Sequence, residues 1–251
     1  VGARDDTNDE RTADLQHEAS RRTGVKARLR WYACSSVARG LHEVAESLGA
    51  DLLVTGSSQR GPLGRVLAGD DARATLSRAP CAVAIAPAGY RGHSTIMHEI
   101  GVGYDGSAES ERALTVAREV AAEQHARLSA MEVLMFPTYL FAEAPASDDD
   151  SIDDLVQRAR ARVSALEGVE PRAMVGRPAE ALARYSGSVD LLVVGCRSYG
   201  RIGRVVHGST TRQLARTALC PLLVLSRSMR ATDHDTAVPE AVGAGAPSDR
   251  L

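Results

Sequence analysis

Lysine and asparagine are almost missing from this 251-residue chain: Lys26 and Asn8 are the only ones. Both types use A/T-rich codons, so their scarcity points to a high-GC bacterial genome. Chemically, it leaves almost no lysine to grip a phosphate or form a Schiff base. A charge excess is missing too, since 30 basic and 32 acidic residues give a formal charge of −2. That argues against a dedicated nucleic-acid binder, which carries a basic patch. No apolar run approaches the ~18–20 residues that span a bilayer, and the N-terminus has no signal-type apolar stretch. The expectation is a soluble cytoplasmic protein with neither membrane nor nucleic acid as partner. The four cysteines (Cys34, Cys81, Cys196 and Cys220) make no CxxC pair and no zinc spacing, so they read as small apolar residues in a reducing compartment. His42, His93, His98 and His125 are scattered, and no metal site is expected.

What is present is 44% apolar sequence, enough for real cores, and an internal repeat. Asp51-Leu52-Leu53-Val54-x-Gly56 recurs as Asp190-Leu191-Leu192-Val193-x-Gly195, an offset of 139. Without a gap, the same offset carries Gly61, Gly64, Arg65, Val66 and Gly69 onto Gly200, Gly203, Arg204, Val205 and Gly208. It then carries Arg73, Ala79 and Cys81 onto Arg212, Ala218 and Cys220, making 13 identities in the 31 positions of 51–81. So long a period excludes a solenoid and makes each copy a domain. Residue 1 corresponds to Leu140, so residues 98–139 have no counterpart in the first copy. Three explanations stay open for that copy: a misassigned start (Val1 is not methionine), a fragment, or decay. A missing N-terminal piece is the favoured one.

The complete copy alternates strands and helices. Strands are expected at Glu99–Asp105, Leu128–Met135, Val169–Val175, Asp190–Val194 and Pro221–Leu225. Helices are expected on the Ala113/Leu114/Ala117/Val120/Ala121 face, at Ser151–Leu166, Pro178–Tyr185 and Ser209–Leu219. Phe136–Asp150 reads as a loop, and its acidic end, with Asp153 and Asp154, complements a helix N-terminus. In the first copy a helix is expected around Arg11–Arg22, and Trp31 and Tyr32 are expected to pack in a strand. Continuous apolar strands joined by helical crossovers imply an α/β fold: two tandem doubly wound parallel-sheet domains, the first copy incomplete. The boundaries read as 1–88 for the truncated domain, 89–97 for a linker, 98–228 for the complete domain and 229–251 for a disordered tail.

Two stretches carry candidate chemistry. The Gly-rich segment from Gly195 to Thr211 follows a buried strand and opens a helix. There, backbone N–H groups favour phosphate oxygens, Ser209 and Thr210 offer hydroxyls, and Arg197, Arg201 and Arg204 add positive charge. The plain alternative is a surface loop with an ordinary serine cap. His207 reads as an exposed histidine rather than a phosphate contact. Asp105-Gly106-Ser107 ends the first strand at the carboxyl edge, where doubly wound sheets bind ligands. Asp105 could accept hydrogen bonds from a ribose or base, or could simply open a turn.

Taken together, the strand–Asp-Gly-Ser–helix opening, the long second crossover and the Gly-x2-Gly-x9-Gly-Ser/Thr loop resemble the universal stress protein (UspA) family. The resemblance covers nearly all of 98–227 and, truncated, 11–88. It implies a five-stranded sheet ordered 3-2-1-4-5, adenine nucleotide alpha-hydrolase-like. It also implies ATP in the crevice of some members (magnesium accompanying it), regulatory action in stress responses rather than catalysis, and pairing through the last strand. The pairing would be as a homodimer or between domains of one chain. Carried over by position, Asp105 matches the adenosine-contacting aspartate, Gly103 and Tyr104 its neighbours, and Val133 the adenine-side strand end. Val194 and Gly195 match the start of the phosphate loop, and Gly208, Ser209 and Thr210 its end; Ser198 replaces its second glycine. In the first copy Gln59 stands in place of that glycine and Asp70 in place of the hydroxyl. A carboxylate there repels phosphate, so at most one nucleotide site per chain is expected.

Three functions compete: a nucleotide-binding regulator, the same fold acting as a dimerising or partner-binding module without nucleotide, and a catalyst on adenylated substrates. The third lacks both a Ser-Gly-Gly-type loop after the first strand and a Gly-x4-Gly-Lys-Ser/Thr loop. Without an obvious general base either, fast ATP hydrolysis is not expected.

Overall fold

The computed structural model describes residues 34–56, 74–76, 79–87, 96–135, 152–196 and 209–225, a few positions between 17 and 32, and Tyr90. The helix expected around Arg11–Arg22, Trp31, the loop at 136–150 and the tail at 229–251 lie wholly or mostly outside those residues.

The second copy follows its apolar pattern closely. Strand β3 (Glu99–Tyr104) leads into α2 (Ala108–Gln124), then β4 (Arg127–Leu134), α3 (Ile152–Ser164), β5 (Glu170–Val175) and α4 (Pro178–Tyr185). A single 3₁₀ turn, β6 (Leu191–Gly195), α5 (Ser209–Thr217) and β7 (Leu222–Leu225) complete it. The first copy contributes α1 (Val37–Leu48), β1 (Leu52–Gly56) and β2 (Ala82–Ala86). All strands join one seven-stranded sheet, ordered β1-β2-β7-β6-β3-β4-β5. Within the second copy this is the expected order 3-2-1-4-5, and every pairing there is parallel.

The two copies meet where β2 runs antiparallel to β7. Its register pairs Ala84 with Leu223, residues related by the 139-residue offset, and Val83 with Val224 and Ile85 with Leu222 on either side. The join is therefore centred on a pseudo-twofold axis, the isologous geometry of a C₂ dimer built inside one polypeptide. Apolar residues of both copies fill both faces of the sheet. One face gathers Val83, Ile85, Leu192, Val194, Leu222 and Val224 with Leu182, Tyr185 and Leu214 of α4 and α5. The other gathers Ile100, Val102, Val193 and Leu223 with Ala113, Leu114 and Ala117 of α2 and Val163 of α3.

Strand β3 is polarised by its glycines. Ile100 and Val102 face α2, while the opposite face carries Glu99 and beyond it only Gly101 and Gly103. A Cβ added at Gly101 would lie 2.8 Å from the Tyr185 ring, and one at Gly103 would lie 3.2 Å from a Val194 methyl. Glycine here admits a bulky residue from α4 next to the central strand. The Tyr185 hydroxyl exchanges a hydrogen bond with Ser129 (2.6 Å), and Ser129 donates to Glu99 Oε1 (3.0 Å). Arg172 donates to the same oxygen at 2.9 Å, Arg127 donates to Oε2 at 3.1 Å, and the Arg172 guanidinium lies 5.6 Å from the Tyr185 ring centroid. Polar groups in a core must be paired, and this cluster pairs them apart from Arg172 Nε, which finds no acceptor among the described residues.

Burial pushes the Tyr185 phenol up to about 12, against the opposing pull of its Ser129 hydrogen bond and of Arg172. A raised folded-state pKa means the folded form keeps a proton the unfolded form has lost. Stability is thus unaffected below the unfolded tyrosine value of about 10 and falls as pH rises from there toward 12. Urea titrations at about pH 9 and about pH 11.5 are expected to show a loss of order 2 kcal/mol, reduced in Tyr185→Phe. An equal loss in both chains would show that Tyr185 does not control it.

Two local readings are corrected. Tyr32 lies outside any strand and is half exposed, its hydroxyl donating to Glu43 at 2.5 Å. An isolated aromatic pair was a weak strand signal beside the pull of an exposed carboxylate. Of the cysteines, Cys81, Cys196 and Cys220 are buried as small apolar residues, but Cys34 is exposed.

Candidate functional site

The carboxyl ends of β4, β3 and β6 form the edge at which the strand order reverses. Gly103 is in register with Val194 and Met131, and Tyr104 with Glu132. Asp105 and Val133 thus stand side by side, one step past that level, with Val194 and Gly195 ending the strand on the other flank. The chain turns immediately: Gly106 adopts φ 73°, Ser107 caps α2 by accepting the Ser110 N–H at 3.3 Å, and the Asp105 carboxylate accepts the Ser107 N–H at 3.0 Å. Asp105 is exposed on the rim. On the far side, α5 opens with Ser209 exposed and Thr210 half-buried. Ser198, Gly208, His207 and the three loop arginines lie outside the described residues.

Gly195 fixes the depth of this edge. A Cβ added there would lie 2.4 Å from the Glu109 carbonyl oxygen, so only a bare backbone lets the first turn of α2 rest on the end of β6. The helix N-terminus with its free N–H groups is thereby brought against the strand end that leads into the Gly-rich loop. The equivalent Gly56 has nothing within 4 Å of the same added atom.

Not all residues picked from the sequence face the crevice. The Tyr104 side chain is buried on the α2 side of the sheet, and its hydroxyl donates to Glu111. That bond, with burial and the nearby charges of Glu111, Glu132 and Asp105, pushes its phenol up to about 12. Only the Tyr104 backbone borders the edge. Beneath it, Glu132 is buried and ion-paired to Arg162, while its Oε2 has no hydrogen-bond partner. Glu132 could have been noticed as an acid inside an apolar strand, but Arg162, 30 residues on, carried no such signal. With Asp105, Glu109 and Glu111 around it, the described part of the rim is acidic. Among the described residues Arg112 pairs with Glu109, at 3.5 Å.

This geometry defines an α/β protein with a doubly wound sheet whose strand order reverses at the carboxyl edge of its complete copy. The sequence profile described as "Universal stress protein family" matches residues 3–87 and again 97–226. The chain belongs to the universal stress protein family, as a tandem member. A universal stress protein of Mycobacterium tuberculosis is 27% identical over 213 residues, covering 80% of this chain and 73% of its own. One from Thermus aquaticus is 34% identical over 132 residues, 49% of this chain and 93% of the relative. Among solved structures, a universal stress protein from Archaeoglobus fulgidus superimposes with a TM-score of 0.61 at 19% identity, covering 88% of this chain and 80% of that one. No described helix is long and apolar enough to cross a membrane.

Proposed function

We propose that the second copy binds an adenine nucleotide, ATP in the first instance, at the carboxyl edge of β4, β3 and β6, and that the bound state regulates a stress response without catalysis. Asp105 accepts hydrogen bonds from the ribose, and Val133 and the Gly103–Tyr104 backbone border the base. The phosphates rest on the backbone from Val194–Gly195 through Ser198 to Gly208, Ser209 and Thr210. The observation that carries this reading is the register, which puts an exposed carboxylate next to a helix-packed glycine at the switch point.

The residues present fit such a ligand. Asp105 is exposed and accepts the Ser107 N–H, and the start of α5 presents backbone donors and two hydroxyls. Among the described residues no group of three or more His, Cys, Asp or Glu could hold a metal ion, so magnesium would arrive with the phosphates. The first copy, with Asp70 at the position of Ser209, leaves one site per chain.

Calorimetry with magnesium–ATP on the intact chain tests this. Micromolar binding near one equivalent is expected, about −8 kcal/mol, weakened some 10–100-fold in Asp105→Ala and unchanged in Asp154→Ala, on the exposed face of α3. Binding that ignores Asp105, or two equivalents per chain, would overturn the assignment. A second reading, a partner-binding module without nucleotide, is favoured by the acidic rim, which repels phosphate. Absence of heat at millimolar ATP would select it.

A further inference from the structure

The first turn of α2 meets the start of the Gly-rich loop with the wrong sign for a phosphate. A helix start carries about half a positive charge and attracts anions through its free N–H groups. Part of that pull is already spent, because the Ser107 N–H goes to Asp105 and the Ser110 N–H to Ser107 Oγ. Glu109 and Glu111 then add two full negative charges to the same turn, which outweigh it.

The two glutamates are held differently. Glu111 accepts the Tyr104 hydroxyl. Glu109 accepts no hydrogen bond among the described residues, and Arg112 approaches it only to 3.5 Å. The Glu109 side chain is 19% exposed against 43% for Arg112, so the acid is the less hydrated of the two and its field is poorly screened. Gly195 fixes where that charge sits. A Cβ added to this glycine would lie 2.8 Å from the Glu109 Cβ, which roots the glutamate on the strand end from which the Gly-rich loop departs.

We propose that Glu109 makes magnesium a condition of nucleotide binding: the edge accepts the magnesium complex of ATP and rejects free ATP. This role rests on the nucleotide reading above. A poorly screened carboxylate repels a bare triphosphate. A divalent cation carried on the phosphates inverts the sign of what the carboxylate faces, and repulsion becomes attraction. Glu109 is thereby a specificity residue, selecting the charge state of the ligand rather than its base.

Calorimetry on the full chain, with ATP in EDTA against ATP in excess magnesium, tests this. The parent is expected to bind the magnesium form at least about 30-fold tighter. In Glu109→Gln, equal in shape but uncharged, the ratio should shrink to under about fivefold, chiefly through a gain of about tenfold for free ATP. Glu109→Asp keeps the charge and should keep the requirement. Glu119→Gln, exposed on the same helix farther from Gly195, should leave the ratio at the parent's value. Equal affinity of the parent for both forms would overturn the proposal, as would an unchanged ratio in Glu109→Gln or an equal drop in Glu119→Gln. A parent that gives no heat with either form would instead remove the nucleotide reading, and this role with it.

Discussion

Gly195→Ala is expected to unfold at a midpoint about 6–12 °C lower than the parent, while Gly56→Ala, at the same place in the first copy, stays within about 1 °C. The contrast follows from what each new methyl would meet. At Gly195 it lies 2.4 Å from a backbone carbonyl oxygen and 2.8 Å from the Glu109 Cβ, and a helix turn cannot step aside as a side-chain tip can. Overpacking of this kind costs about 3 kcal/mol. At Gly56 the methyl points into open space. Displacing α2 also moves Ser107 and Asp105 away from β6, so Gly195→Ala should lose ATP affinity even where it is still folded. Thermal unfolding by circular dichroism, followed by calorimetry at a temperature where both variants are folded, separates the two effects. Equal midpoints for the two variants would refute the proposed seat of the helix on the strand.

Removing the carboxylate of Glu99 should be nearly as damaging. It accepts Ser129, Arg172 and Arg127, and replacement by alanine leaves the Ser129–Tyr185 pair and Arg172 without their common acceptor. Breaking one side of a buried ion pair costs up to 3–5 kcal/mol. Because Arg172 can turn to Glu170, 3.2 Å away, about 2–3 is expected here. Arg127→Ala, with that side chain 75% exposed, should cost under about 0.5 kcal/mol. In Glu99→Leu/Arg172→Met both charges leave together, and urea denaturation should show part of the loss recovered. A double variant as unstable as the sum of its parts would mean that the two residues do not act as a pair.

How much of this could be read beforehand depended on the range of the interaction. The repeated Asp-Leu-Leu-Val and the strand–helix alternation were enough for a doubly wound parallel sheet in each copy, because apolar periodicity is local and right-handed crossovers leave few topologies. The strand order came only with the family resemblance. Strand ends agreed to within about a residue wherever a turn residue or proline marked them. Topology put Asp105 at a carboxyl strand end, and its grouping with Gly195 came with the family resemblance. The Glu99–Ser129–Tyr185–Arg172 cluster did not. Its members lie up to 86 residues apart, and each alone looks like an ordinary strand or helix residue. The role of Gly101 was equally hidden, since a glycine in a strand does not say which side chain needs the space. Tyr32 misled because an aromatic beside a tryptophan suggests a strand while the ring instead leans on α1, where a Gly40 Cβ would meet it at 3.3 Å.

The antiparallel seam between β2 and β7 has a consequence for divergence. In an assembly of two identical chains, the residue on the rotation axis must face itself, so any change there arrives twice and has to suit both sides at once. Here the axial positions are alanine on one side and leucine on the other, a small–large match that identical subunits cannot make. Covalent tethering also keeps the seam formed at any dilution. Released from self-complementarity, one half was free to place Asp70 where its twin kept the Ser209 hydroxyl.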